Sequence, residues 1–310
     1  MRRLAAVIPI LVLVSFGVFL LVSLVPGDAA VTLAGGQNAT PDSIAQVRSE
    51  LHLNDPLVTQ YRRWVSHAVR LDFGQSIEDR TSVTHELRSR FPVTLSLVAA
   101  ATLISLLIGV PLGIISGLRP GGAADRLSRA TVSLGVAVPN FWLAVVLVAV
   151  FAVHWRLLPP SGFTRITDSP LGWLRHILLP AIALGVASAA SLARQLRSEL
   201  IDVLDQSYIR TAWAKGARSR RVVGKHALKN AAIPAVTILG LQIGYLLGGA
   251  VIVEQIFSLP GLGTYFIRGV LSSDVPVIQG VTVLFVLVQL VMSLAVDVAY
   301  GALNPKVRVH

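Results

Sequence analysis

Long apolar runs separated by short polar clusters dominate the chain. Six of them reach the roughly 20 residues a helix needs to cross the hydrocarbon core of a bilayer. They fall at 4–25, 93–118, 130–153, 177–193, 235–256 and 278–299, and all are essentially free of charge. The first follows Met1-Arg2-Arg3, as in a signal peptide, but its apolar stretch of 22 residues exceeds the roughly 7–15 of a cleavable segment. It reads as a retained span. The pattern predicts an all-α integral membrane protein with six transmembrane helices.

Composition agrees: 54% of the 310 residues are hydrophobic and 14% are charged, against about 25% charged in globular domains. The absence of cysteine excludes disulfides, zinc–thiolate sites and cysteine nucleophiles. The net charge of +11 comes without the aromatic interleaving of a nucleic-acid platform, so no nucleic-acid partner is expected. Charge instead sets topology. Sixteen of the 27 Lys and Arg fall at the two termini, between spans two and three, and between spans four and five; eleven lie in the longer segments opposite. Both termini are therefore expected in the cytoplasm.

The chain divides into a tail with first span (1–25), an extracytoplasmic insert (26–92) and a five-helix core (93–310). That core contains a cytoplasmic segment at 194–234. The insert carries amphipathic stretches, Ser43 to Leu51 and Leu57 to Val69, and is expected to fold as a small helical cap. On the same face, Ser258 to Asp274 contains Pro260, Gly261 and Gly263, which suggest a tight turn at an outer mouth.

Within the spans, Gly109, Gly113 and Gly117, and again Gly240, Gly244 and Gly248, make smooth faces for helix packing, with Ala181, Gly185, Ala189 and Ala193 on the same spacing in span four. Pro111, Pro139 and Pro180 can bend their helices. Polar residues at depth are few; Asn140, Gln242, Tyr245 and Gln279 are the candidates to face a pathway. Glu254 and Asp297 lie near predicted span ends, as interfacial anchors would, and no charge is expected in mid-span. Transport energy would then come from elsewhere.

Segment 194–234 is too long and regular for a connector. Apolar residues at 3–4 residue intervals predict an amphipathic helix from Ser198 to Ala214, ended by Gly216, with Ser219 capping a second short helix and Pro234 opening span five. Such a helix–glycine–helix projection, rich in cations and with one apolar stripe, suits docking of a soluble partner; a basic loop lying on anionic lipid is the plainer reading.

The run YIRTAWAKGARSRRVVGKHALKNAAIP, Tyr208 to Pro234, resembles the EAA motif of the membrane subunits of binding-protein-dependent ATP-binding-cassette (ABC) importers, in its peptide and nickel branch. Ala212, Ala214, Gly216, Ile233 and Pro234 match its landmarks, and Thr211 stands where other branches carry Glu. VIVEQIFSLPGLGTYFIRGVLSSDVPVIQG, LHLNDPLVTQYRRWV and LDFGQSI are similar to phrases of the same branch, while Asn304 replaces an Asp usual before the following proline. The resemblance covers the whole chain. It implies a type I importer permease fold in a bacterial or archaeal inner membrane. It also implies a heterodimer with a second permease, two cytosolic ATPase domains that bind ATP and Mg, and an extracytoplasmic solute-binding protein. Thr211, Ala212, Ala214, Lys215, Gly216, Ile233 and Pro234 would couple the ATPase to the spans. Glu254, Pro260, Gly261, Gly263 and Asp274 would stand at the outer mouth. Peptides are the expected cargo, with nickel complexes, glutathione and haem as alternatives within the branch.

Other classes fit less well. An enzyme reading lacks a GxxxxGK[ST] loop and any paired His spacing, so no cofactor, metal or catalytic residue is expected on this chain. An ion-coupled secondary carrier is the rival on physical grounds, opposed by the absence of mid-span charge.

Overall fold

The computed structural model describes residues 9, 12–20, 31, 39–50 and 54–303. Much of the first predicted span, the start of the insert and Asn304 lie outside these residues, as do the side chains of Ile233 and Asp297. The described chain is helical, with one isolated antiparallel bridge between Gln75 and Ser82.

Among the described residues four helices are long and apolar enough to cross a membrane, or five if one bent pair counts as a single span. Residues 12–20, within the predicted first span, are helical too. The chain forms two compact units, one from 1–92 and 260–290, the other from 93–259 and 291–310.

In the first unit, α1 (Pro41–Glu50) and α2 (Leu57–Ala68) realise the two amphipathic stretches of the insert. Tyr61 and Trp64 of α2 pack on Phe16 and Phe19, and the Tyr61 hydroxyl lies 2.7 Å from Ser15 Oγ and donates to the Val12 carbonyl at 3.1 Å. Helix α3 (Val83–Leu118) starts ten residues before its apolar run. Its first turns bury Val83 and Leu87 against Leu262, Tyr265, Val277 and Val281. The end of the insert therefore shares its core with the segment after span five.

The second unit is built around α6 (Pro170–Leu204), whose apolar window is 67% buried against 28–39% for the other three long spans. Ser169 caps it by accepting from the Gly172 N–H at 3.0 Å, and Pro170 fills the first turn where a missing N–H costs nothing. Small residues let neighbours come close. A Cβ on Gly109 would stand 2.6 Å from the Ala189 carbonyl oxygen, and one on Gly113 2.9 Å from that of Ala193. The ridge of span two is thus spent on packing inside the chain.

Span three departs from expectation. It is two helices, α4 (Ala123–Ala137) and α5 (Asn140–Leu147), the latter continued by a wider π-type turn, Val148–His154, and they meet at 98°. Val138 before Pro139 is extended, with φ −84 and ψ 119, because the proline ring disfavours helical backbone in the residue preceding it. Helices continue through Pro111 and Pro180.

The cytoplasmic segment is also divided differently from the prediction. The amphipathic pattern of 198–214 belongs to two helices, the end of α6 and α7 (Ser207–Ala214), separated at Asp205 and Gln206. Ser219 is the first residue of α8 (Ser219–Arg221), with Arg218 in the capping position, so it caps nothing. A π-type turn, Val222–Ala227, joins α8 to α9 (Leu228–Ile256), so Pro234 sits inside a helix that has already begun. The remaining helices are α10 (Leu262–Leu271) and α11 (Val275–Leu303).

Candidate coupling, pathway and outer-mouth sites

Ile209 is the buried residue of helix α7. Ile209 is fully buried in a cluster with Leu196 and Leu200 of α6, Val222 and Ala227 of the π-type turn and Ala231 of α9. Tyr208 and Trp213 of the same helix are exposed at 44% and 43%. Asn230 Nδ2 donates to the Tyr208 hydroxyl at 2.9 Å, tying α7 to the start of α9. Arg210 pairs with Asp205 at 2.5 Å, both well exposed.

The end of α7 explains Gly216. Its N–H donates to the Trp213 carbonyl at 2.9 Å and the Ala217 N–H to the Ala212 carbonyl at 3.2 Å, the paired bonds of a Schellman closure. That closure needs a left-handed residue, and Gly216 has φ +71. Nothing lies within 4 Å of where its Cβ would be, so the glycine is required by backbone conformation and not by close approach within this chain. Thr211 Oγ1 donates back to the Ser207 carbonyl at 3.0 Å, and Thr211, Ala214 and Lys215 are exposed while Ala212 is half-buried. Pro234 lies a full turn into α9 and is half-buried.

The four pathway candidates have different surroundings. Asn140 opens α5 directly after the break, half-buried near Gly249. Gln242 is buried; its Nε2 donates to the Ser188 carbonyl at 3.2 Å and its Oε1 has no partner among the described residues. Tyr245, three residues on, is 79% exposed. Gln279 is buried in the other unit.

At the predicted outer mouth, the expectation for Glu254 fails. It is not an interfacial anchor but fully buried, accepting from Thr94 Oγ1 at 2.6 Å. The turn is not at the glycines either: Gly261 is extended with φ −97, Gly263 is helical, and the left-handed residue is Ser258 at φ 50. Pro260 is exposed. Asp274 is buried at the start of α11, accepting from Ser76 Oγ at 2.6 Å and from the N–H groups of Glu78 at 3.2 Å and Val277 at 3.4 Å. Beside it, Arg268 bridges Asp79 at 2.8 Å and Glu78 at 3.3 Å. The Ser272 hydroxyl and Arg268 hold the Glu78 carboxyl below its usual range. Arg90 lies over the Tyr265 ring at 4.8 Å, and burial, with Asp274 and Glu86 adding to it, pushes the Tyr265 phenol up to about 12.

One polar centre has no counterpart in the sequence reading. Asp125, in the short segment between the predicted spans two and three, is fully buried. Arg197 of α6 grips it at 2.7 and 3.0 Å, the Gly121 N–H donates at 2.9 Å, and the Ser116 hydroxyl also bonds it. Its partner is 72 residues away, beyond any local pattern.

Comparisons with known proteins agree with this architecture. Over 308 residues the chain is 37% identical to a putative peptide transport system permease protein of Brucella abortus (strain 2308), covering 99% of this chain and 98% of that one. It is 42% identical over 307 residues to the glutathione transport system permease protein GsiC of Escherichia coli (strain K12), covering 99% and 97%. Among solved structures, an inward-facing MetNI methionine ABC transporter chain matches with a TM-score of 0.57 at 21% identity. That match covers 70% of this chain and 96% of the other, and it supports the fold. The family model for the N-terminal part of such membrane components matches residues 1–98. The model described as the binding-protein-dependent transport system inner membrane component matches residues 109–309, and the chain belongs to that family.

Proposed function

We propose that this chain is one of two homologous permease subunits of an ATP-driven importer, forming half of a pathway for peptides delivered by an extracytoplasmic binding protein. Two cytosolic ATPase domains supply ATP, Mg and hydrolysis, and this chain supplies none of them. Both termini face the cytoplasm, as the density of Lys and Arg supports. Relatives named for peptide and glutathione transport support small peptides as cargo, glutathione being itself a modified tripeptide.

The observation that carries the reading is the build of α7. Two exposed rings, Tyr208 and Trp213, stand on a short helix whose Ile209 is buried in one cluster with residues of α6 and α9. A partner that seats those rings and then moves would pull on the ends of two spans, because Ile209 shares one buried cluster with residues of both. The break at Pro139 leaves the first N–H groups of α5 without helical partners, beside Asn140, which suits a polar pathway wall.

The test is uptake by vesicles holding the whole importer. Gly216→Val forces a β-branched residue into φ +71, and we expect it to reduce ATP-driven peptide uptake by at least tenfold while the chain still inserts and binds its partner permease. Arg220→Ala should reduce uptake less than twofold, since exposed charges contribute under about 1 kcal/mol. Normal transport by Gly216→Val with loss of ATPase binding in Arg220→Ala would replace seating of rings by a charge-led contact. In this cysteine-free chain, cysteine at Tyr245 should react with a small aqueous thiol reagent faster than cysteine at Gln242. The reverse order would remove Tyr245 from the pathway.

A further inference from the structure

Arg197, which holds the buried Asp125, lines a cavity of about 190 Å³ between α4, the C-terminal half of α6 and Ser116 of α3. Its polar lining is Ser116, Ser128, Ser133, Arg129, Arg194 and Arg197. Three guanidiniums line it, and Arg197 among them is paired with the buried Asp125. Arg197 spends Nε and Nη2 on Asp125, leaving Nη1 uncommitted. Arg129 approaches Asp125 only to 3.5 Å and is 55% exposed. Arg194 makes no ion pair with any described residue. After Asp125 is neutralised, two positive charges remain over a concave surface that also offers the Ser133 hydroxyl.

We propose that this cavity binds a phosphate-bearing anion. Guanidiniums match the oxygen spacing of phosphate, and charge-assisted bonds of this kind are about twice as strong as neutral ones. The volume holds roughly six waters by the 30 Å³ each occupies in the liquid, enough for a phosphoryl group with its ester substituent. Val132 and Ala193 complete the lining, and Leu127 and Leu134 of α4 are exposed at 72% and 66%, as residues facing acyl chains would be. The cavity lies at the end of α6 nearest the basic coupling segment, where an anionic leaflet would meet it. A phospholipid headgroup is therefore the source these surroundings favour, with free phosphate the other source of the same chemistry.

The test uses the purified full chain in neutral maltoside detergent and follows its melting temperature against phosphatidylglycerol, phosphatidylcholine and inorganic phosphate. Phosphatidylglycerol should raise it saturably and phosphatidylcholine should not. Arg129→Gln with Arg194→Gln should raise the half-saturating concentration at least about tenfold. Ser133→Leu, which fills the cavity and leaves every charge in place, should do the same and decides the matter if the double variant does not fold. An equal, variant-sensitive shift with inorganic phosphate that competes with phosphatidylglycerol keeps the anion site and assigns it to free phosphate. A phosphatidylglycerol shift unchanged in both variants, matched by phosphatidylcholine, or absent altogether overturns the proposal.

Discussion

Asp125 and Asp274 are both buried aspartates, one in each compact unit, and they are satisfied by opposite means. Asp125 is gripped by an arginine from another helix, with a backbone N–H and a serine hydroxyl completing its shell. Asp274 has no cation among the partners that bond it. It caps α11 through the Val277 N–H and takes a hydroxyl and an N–H from the insert. The first arrangement joins distant elements by charge and is costly to break from one side, because a buried ion left alone has nothing to neutralise it. The second draws on donors that a helix start and a loop must satisfy anyway, so its loss should be milder.

Removing the cation is the harshest way to break this comparison. Arg197→Met should lower the melting temperature of the purified chain by more than about 6 °C. Adding Asp125→Asn should recover more than half of that loss. If the double variant melts no higher than the single one, Arg197 acts by packing and not by charge. Next in size, Asp274→Ala should cost roughly 2–6 °C by leaving the Ser76 hydroxyl and the Glu78 N–H unpaired, and Asp274→Asn clearly less. Equal losses in the two Asp274 variants would show that its negative charge matters after all. The smallest effect concerns exposed Glu78. The Ser272 hydroxyl and Arg268 hold its folded carboxyl below the usual carboxylate range, so its contribution is present above that range and lost as pH falls through the lowered folded value. Acid loss of stability should therefore be slightly shallower in Arg268→Ala than in the native chain, and an unchanged acid profile would make the Arg268 bridges incidental.

The spans were legible because a bilayer demands long uncharged runs, and Gly216 because a glycine between two helical patterns marks a left-handed closure. The interruption of span three was half legible. Pro139 was visible as a potential bend, but three prolines shared that status, and only packing decides which helix continues. Asp274 followed by Val275 and Pro276 carries a local sign of a helix start, since an aspartate before a first-turn proline is a favoured cap. Asp125 carries none: its arginine stands 72 residues later. Glu254 shows the remaining limit. Its place near a span end suggested water, whereas Thr94, 160 residues earlier, gives it a buried partner.

The shared core of the insert and the segment after span five bears on how such permeases can be recombined. Phe73, Val83 and Leu87 pack with Leu262, Tyr265 and Val277, and Ser76 and Glu78 reach Asp274. A chimera that imports only the insert from a relative would bring half of a core and half of a hydrogen-bond set. The exchangeable module is discontinuous in sequence, and a graft meant to change recognition at this face must carry 71–87 and 262–281 together.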